Sequence, residues 1–237
     1  MVRRAAVLCL QHAAVEPPGA VEEAVRAAGL PLETIRTDRG EAVPRTAEGL
    51  LGLVVMGGPM GVPQAERHPH LKAERRLLED ALSREVPALG ICLGSQLLAA
   101  ALGARVERGP RLELGWLPVW LEPAARGDPL FGSLPLELTA LHWHGDVFEL
   151  PRGASSLARS ALTGCQAFRH GKAWGMLFHL EADAAQLEAM AGAFPEDLEE
   201  AGVSEDQLRA GAGEHLAAAR RLGRGVFDRW AELAKGS

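Results

Sequence analysis

The chain has 237 residues, of which 47% are hydrophobic, so it is long enough for one large α/β domain or two small ones. Lys and Arg total 25 against 31 Asp and Glu, and a formal charge of −6 without blocks of like charge speaks against nucleic acid as a partner. No apolar stretch approaches the roughly 20 residues of a membrane span, so no membrane partner is expected.

The cysteines and the N-terminus indicate the compartment. The three cysteines include no Cys-x-x-Cys pair, which is typical of a reducing, cytoplasmic environment. The charged start Met1–Arg4, with the apolar run that follows it, superficially resembles a signal peptide. That run is too short for one and is better interpreted as a first strand, so we expect a cytoplasmic protein.

The first half of the chain alternates apolar runs with segments of helical periodicity. This alternation predicts a doubly wound, mostly parallel sheet that is flanked by helices. The run at 50–56 is apolar throughout, as expected of a strand that is buried on both faces. The predicted strands are residues 5–10, 32–36, 50–56 and 88–91, and the predicted helices are residues 19–28, 71–83 and 94–102.

From residue 112 the alternation of apolar runs and helical segments gives way to a different pattern. Short β-like pieces between Pro and Gly residues predict small hairpins added to the α/β core. These pieces are residues 116–121, 136–141, 155–159, 166–169 and 174–178. After Ala182 the pattern is helical to the end, with an interruption at 192–195. We therefore predict a main domain of residues 1–193 and a helical C-terminal extension of residues 194–237 that packs on the same domain.

Cys92 is the most informative residue. It lies between Gly90 and Gly94, where a strand-like run enters and a helix-like run leaves, and this is the pattern of a nucleophile elbow with sulfur in place of oxygen. Small neighbours suit such a turn because its backbone is strained and another chain passes close by. The turn leaves the thiol at a helix N-terminus, whose partial positive charge favours the reactive thiolate.

A thiolate nucleophile needs an acid–base partner and an oxyanion hole. His179 and Glu181 follow an apolar run at positions i and i+2, which places both on one side of a strand. The glycine loop after the third predicted strand opens at the same sheet edge as Cys92, so the amides of Gly58 and Leu93 are the expected oxyanion donors. Taken alone, the histidine would more often close a buried strand and the loop would be a tight turn. The elbow favours the catalytic interpretation of both.

The run His142–Asp146 suggests one alternative, because alternate residues of a strand with the pattern His-x-His-x-Asp can converge on a metal. The fuller metal pattern has another His directly after the Asp, and here Val147 follows, so no metal is expected. No phosphate-loop pattern is present, and we expect no cofactor. Cys9 and Cys165 lie in apolar or strand-like contexts and are expected to be packing thiols.

These motifs resemble the class I (triad-type) glutamine amidotransferases, and the resemblance implies their flavodoxin-like fold, with residues 1–193 as the catalytic domain. The match is carried by Gly57-Gly58-Pro59, Gly90-Ile91-Cys92-Leu93-Gly94-Ser95-Gln96 and Phe178-His179-Leu180-Glu181. Further segments are similar to the stand-alone branch that resembles the glutaminase domain of GMP synthase. These segments are residues 115–119, 142–146, 150–154 and 166–171.

The resemblance implies a Cys-His-Glu triad. Cys92 attacks the side-chain amide carbon of glutamine, and the Gly58 and Leu93 amides hold the oxyanion. His179 protonates the departing ammonia and then activates water to hydrolyse the thioester, while Glu181 orients His179. The expected substrate contacts are Gln96 and a loop made of Trp143, His144, Gly145 and Asp146.

One position departs from the resemblance, because the family usually has Pro where this chain has Leu180. Proline would stiffen the strand exit, so Leu180→Pro is expected to leave activity unchanged or to raise it. No synthetase domain or ATP-binding motif is visible, so the ammonia would reach an acceptor on a partner, such as a synthetase, or on a separate protein. A homodimer is a further expectation. Two alternatives stay open: a stand-alone hydrolase of γ-glutamyl peptides or amines with the same triad, and an inactive or redox-type relative.

Overall fold

A computed structural model describes residues 5–236. The start Met1–Arg4, which suggested a signal peptide, lies outside the described residues, as does Ser237. The strands are β1 Ala6–Gln11, β2 Leu32–Arg36, β3 Leu50–Val55, β4 Ala88–Ile91, β5 Val106–Leu121, β6 Glu137–Phe148, β7 Ser155–Arg159, β8 Ala167–His170 and β9 Ala173–Met176. The helices are α1 Ala20–Ala27, α2 Pro69–Ser83, α3 Leu93–Ala101, α4 Ala184–Ala193, α5 Pro195–Ala201 and α6 Glu205–Lys235.

The nine strands within residues 5–236 form one mixed sheet in the order β2-β1-β3-β4-β9-β8-β7-β5-β6. The pairs from β2 to β9 are parallel, and the pairs from β9 to β6 are antiparallel. The predicted α/β fold with helices around the sheet is confirmed. The short β pieces continue this same sheet. The last of them, β9, pairs parallel with β4, the other pairings are antiparallel, and two of the pieces are parts of the long strands β5 and β6.

Helices cover both faces of the parallel half. Val7 and Cys9 of β1 point into the core under α1 and α6, whereas Leu8 and Leu10 point into the core under α2 and α3. This alternation follows from the two-residue period of a strand. Helix α6 lies so close to the sheet that a Cβ atom on Gly52 of β3 would be 2.9 Å from the indole ring of Trp230.

The C-terminal helices lie where the sequence predicts them. Helix α4 ends at Ala193 and α5 begins at Pro195, next to the predicted division between the main domain and the extension. That division stays a prediction, since α6 shares a core with the sheet. Among residues 5–236, no helix has both the length and the hydropathy that a membrane crossing requires.

Two local predictions near the site are wrong. Residues 143–146, expected in a loop, lie inside β6, because this strand continues to Phe148 and pairs with β5 on both sides of a register shift between Arg108 and Glu113. The strand expected over 174–178 ends at Met176, so the run to Glu181 is not a strand. His179 instead makes an isolated antiparallel bridge to Leu141 of β6.

Candidate active site

Cys92 occupies a tight turn between β4 and α3. Its φ of 49° lies in the left-handed region, which a non-glycine residue adopts only at an energetic cost. The turn depends on its glycines, because a Cβ atom on Gly94 would lie 1.9 Å from the carbonyl oxygen of Val55. The Cys92 amide donates to the carbonyl oxygen of Met176 at 2.8 Å, which ties the turn to β9.

His179 is held from both its backbone and its ring. Its amide donates to the carbonyl oxygen of Leu141 at 2.8 Å, and its Nδ1 lies 2.6 Å from Oε1 of Glu181. The second carboxylate oxygen of Glu181 accepts the backbone N–H of Leu180 at 3.0 Å. All three side chains at 179–181 are buried. The histidine and the glutamate are therefore adjacent as predicted, although a loop rather than a strand brings them together.

The thiol of Cys92 and the imidazole of His179 affect each other's pKa. Burial raises the pKa of Cys92, and the interaction with His179 acts in the opposite direction. Burial disfavours the charged form of His179, but the charge of Glu181 and the interaction with Cys92 outweigh it, so its pKa is raised well above the ordinary value. The His179 Nε2 atom is buried without a hydrogen-bond partner among the described residues, and it is the ring nitrogen left for the thiol.

The glycine loop after β3 lies beside the thiol. Gly58 lines the same cavity as Cys92 and Leu93, and its amide has no acceptor within residues 5–236. No larger residue fits there, because a Cβ atom on Gly58 would be 2.6 Å from the Cβ atom of His12. The Leu93 amide already favours the charged thiolate, since its hydrogen bond lowers the pKa of Cys92 against the effect of burial.

A cavity of about 330 Å³ opens in front of the thiol. All predicted substrate contacts line it, namely Gln96, Trp143, His144, Gly145 and Asp146. The Gln96 side-chain amide donates to the Asp146 carbonyl oxygen at 3.1 Å, and the Trp143 carbonyl oxygen lies 3.5 Å from Sγ of Cys92. Helix α3 and the turn that carries the thiol thus both contact strand β6 at the cavity.

The fold brings together a different set of possible metal ligands from the one that the sequence suggests. His142 and His144 lie beside a buried carboxylate, that of Glu113, at 3.9 and 3.7 Å, and the three could together hold a metal ion. Asp146 does not belong to this group, so the His-x-His-x-Asp pattern does not converge on one point. The Glu113 carboxylate accepts hydrogen bonds from three neighbouring side chains, those of Ser160, Thr163 and Gln166.

Several cavity residues were not predicted from the sequence. Glu16, in the loop after β1, lines the cavity as a buried carboxyl group, and burial raises its pKa to about 7. Asp197 of α5 accepts the indole N–H of Trp143 at 2.8 Å and so links the C-terminal helices to the site. No motif marks these positions. The other unpredicted lining residues are Pro59, Met60, Gly61, Pro63, Gln64, Arg108, Leu112, Met190 and Phe194.

An elbow thiol beside a buried histidine–glutamate pair, at the carboxyl edge of a parallel sheet, is typical of α/β enzymes with a thiol nucleophile. A family model described as glutamine amidotransferase class-I matches residues 19–190. The chain belongs to this family, which confirms the resemblance seen in the sequence and supports glutamine hydrolysis as its general activity.

Relatives in sequence and in structure agree with this assignment. The glutamine amidotransferase-like protein YfeJ of Salmonella typhimurium is 34% identical over 184 residues, which are 76% of this chain and 77% of that protein. One of the subunits of the glutamine-hydrolyzing GMP synthase of Methanocaldococcus jannaschii is 31% identical over 133 residues, which are 55% of this chain and 64% of that protein. A glutamine amidotransferase structure from Thermotoga maritima is 34% identical with a TM-score of 0.87, covering 97% of this chain and 99% of that one.

Proposed function

We propose that this chain hydrolyses the side-chain amide of glutamine through a γ-glutamyl thioester on Cys92. The observation that carries the proposal is the arrangement around one thiol: a strained turn at a helix start, an interacting imidazole, and a carboxylate 2.6 Å from the far side of that imidazole. This is the nucleophile, base and orienting group that acyl transfer needs.

The first half of the reaction forms the thioester and releases ammonia. The thiol proton of Cys92 moves to Nε2 of His179, and the thiolate attacks the amide carbon of glutamine. The oxyanion that forms is stabilised by the amides of Gly58 and Leu93. When the carbon–nitrogen bond breaks, the imidazolium gives its proton to the nitrogen, ammonia leaves, and the γ-glutamyl group stays on sulfur.

The second half regenerates the thiol. His179 takes a proton from water, the hydroxide attacks the thioester carbon, and the carbon–sulfur bond breaks to release glutamate. The proton then returns from the imidazolium to the thiolate of Cys92. Glu181 stabilises the imidazolium in both halves, and this role agrees with the effect of its charge on the His179 pKa.

Gln96 and residues 143–146 are proposed to hold the amino-acid part of the substrate. The Asp146 carboxylate borders the cavity and suits the α-amino group, while the backbone around Gly145 suits the α-carboxylate. Ammonia is proposed to pass to an acceptor on a partner or separate protein, and the similarity to one of the GMP synthase subunits supports such a partner. A homodimer stays a prediction that light scattering would test.

A second candidate is a stand-alone hydrolase of γ-glutamyl peptides or amines. It is favoured by the apolar side chains of Leu112, Met190 and Phe194 on the cavity wall, which suit a substituent larger than ammonia on the scissile nitrogen. The catalytic steps are the same, with an amine as the leaving group instead of ammonia.

A substrate panel with two cysteine variants tests both candidates. We expect the wild-type protein to release ammonia from glutamine, Cys92→Ala to release none, and the matched control Cys165→Ala to match the wild type. Thermal melting of all three proteins checks their folding. Turnover of γ-glutamyl peptides or amines without turnover of glutamine would replace the first candidate by the second. Ammonia release by a folded Cys92→Ala protein would contradict both, and no turnover of any substrate would indicate the inactive or redox-type alternative.

A further inference from the structure

A second buried histidine–glutamate pair lies beside the glycine loop, and the proposed chemistry does not use it. His12 follows β1 and Glu74 lies in α2, and both side chains are buried. Nε2 of His12 is 2.7 Å from Oε2 of Glu74, and Nδ1 is 3.0 Å from the carbonyl oxygen of Gly57. The imidazole thus spans the space between a helix carboxylate and one backbone carbonyl of the loop.

Both ring nitrogens of His12 face acceptors. A neutral imidazole carries one N–H, so donation to the carboxylate and to the carbonyl together requires the imidazolium. Burial disfavours that form, but the hydrogen bond and charge of Glu74 and the carbonyl of Gly57 outweigh it, and the pKa of His12 is raised. Because the Gly57 carbonyl can only accept, the 3.0 Å contact places an N–H on Nδ1 of His12, directed at Gly57.

This N–H determines the orientation of the peptide group between Gly57 and Gly58. Peptide bonds in residues 5–236 are trans, so the C=O and the following N–H point in opposite directions. Holding the Gly57 oxygen toward His12 therefore directs the Gly58 N–H away from His12. Gly58 borders the cavity together with Cys92, and its amide has no acceptor among the described residues.

The loop needs such a hold because of its composition. Two consecutive glycines restrict their backbone angles little, so the peptide between them can rotate at low cost. A larger residue is excluded at Gly58, since a Cβ atom there would lie 2.6 Å from the Cβ atom of His12, and one on Gly57 would displace the Glu16 carboxylate, whose Oε2 would lie 2.0 Å away. Side chains therefore cannot stiffen this loop, whereas a hydrogen bond from outside can.

We propose that the His12–Glu74 pair is a positioning device that fixes the Gly57–Gly58 peptide with the Gly58 N–H directed at the oxyanion. The proposal rests on the proposed function of Cys92. It assigns His12 no contact with the substrate and no proton transfer. The pair should affect only the reaction steps that build negative charge on a carbonyl oxygen. A purely structural role would affect the other reactions of Cys92 as well.

Two isosteric double variants test the proposal. His12→Asn/Glu74→Met keeps a side-chain N–H near the position of Nδ1, and His12→Leu/Glu74→Met removes it. Both lack the buried carboxylate, so they differ only in the donor to Gly57. We measure kcat/KM for glutamine hydrolysis, and we measure the alkylation rate of Cys92 by iodoacetamide, a displacement at carbon that forms no oxyanion. Cys92→Ala gives the background of alkylation at other thiols.

We expect the Leu variant to hydrolyse glutamine at least about tenfold more slowly than the Asn variant, with about 10²–10³-fold, the loss of one whole oxyanion donor, as the upper limit. Alkylation should agree within about twofold, because the difference is confined to oxyanion steps. Equal hydrolysis by the two variants, or a parallel fall in hydrolysis and alkylation, would overturn the proposal.

If Met at position 74 prevents folding, the same Asn and Leu comparison is made with Glu74→Gln. A wild-type protein that is alkylated at Cys92 but hydrolyses no glutamine would instead overturn the proposed function, and this inference with it.

Discussion

Two buried histidine–glutamate pairs lie next to residues that line one cavity, and they differ in their second ring nitrogen. His179 lies 2.6 Å from Glu181 and its Nε2 has no hydrogen-bond partner within residues 5–236. His12 lies 2.7 Å from Glu74 and its Nδ1 is bonded to a backbone carbonyl. Nε2 of His179 interacts with a thiol that can exchange a proton with it, whereas both nitrogens of His12 are bonded to groups that take no part in the proposed reaction. Similar ion pairs therefore suit different tasks.

The largest effect is expected from His179→Gln, which removes the proton carrier. Glutamine hydrolysis should fall by about 10²–10⁴-fold, the usual contribution of general acid–base catalysis. Alkylation of Cys92 by iodoacetamide should also slow, because the imidazole favours the thiolate. This joint loss contrasts with the His12 variants, in which only hydrolysis should fall. Unchanged alkylation in a folded His179→Gln protein would remove the distinction between the two pairs.

Glu181→Gln is expected to have the next largest effect. The charge of Glu181 raises the pKa of His179. Removing that charge lowers this pKa, so the imidazolium that stabilises the thiolate forms less readily. We expect a loss of about 10²-fold in kcat, at the low end of the range for a group that supports acid–base catalysis. Hydrolysis within twofold of the wild type, measured over the same pH range, would show that Glu181 does not orient the histidine.

For Leu180→Pro, the structure predicts a loss of activity, whereas the sequence suggested unchanged or higher activity. The Leu180 N–H donates to Glu181, and a proline has no N–H to donate. Hydrogen bonds to charged groups contribute about 1.5–3 kcal/mol, so we expect a loss of about tenfold or more in activity. Leu180→Met keeps the N–H and is the matched control. Activity of the proline variant at or above the wild-type level would restore the original expectation.

Leu180 also connects the site to the C-terminal helix. A Cβ atom on Gly223 of α6 would lie 2.4 Å from the carbonyl oxygen of Leu180, so the helix packs directly on the loop that carries His179. Melting temperatures of the proline and methionine variants therefore accompany the activity assay. A fall in stability common to both would indicate disturbed packing, and a loss of activity confined to proline would indicate the missing N–H.

Glu16→Gln is expected to have the smallest effect, a shift in pH dependence. Burial raises the pKa of Cys92 most, His179 lowers it, and the Glu16 carboxylate adds to the rise. Replacing Glu16 by a neutral amide therefore lowers the pKa of Cys92, and the pH profile of alkylation moves to lower pH by less than about one unit. Since the pKa of Glu16 is about 7, the variant and the wild type should differ above that pH and agree below it. A shift toward higher pH would contradict the like-charge repulsion.

The predictable part of the site is local in sequence. Cys92 with Gly90 and Gly94, and His179 with Glu181, each lie within five residues, so composition and spacing suffice to find them. The parallel half of the sheet was predictable for the same reason, because each strand and helix carries its own periodicity. The long strands β5 and β6 were not, since their polar and glycine residues interrupt the pattern while their pairing extends over it.

The missed residues depend on tertiary contacts. His12 and Glu74 are 62 positions apart, and Trp143 and Asp197 are 54 apart, so no spacing within a motif relates them. The role of Leu180 depends on a backbone N–H, which every residue except proline has, and the side chain gives no signal of it. Burial converts these groups into specific partners, and burial at such separations follows only from the fold.

The most direct measurement is the mass of the protein quenched in acid during turnover of glutamine. We predict an increase by one γ-glutamyl group, located on the peptide that contains Cys92, present in the Cys165→Ala protein and absent from the Cys92→Ala protein. The same label on another residue, or ammonia release with no label on Cys92 under conditions that preserve a thioester, would contradict the thioester mechanism.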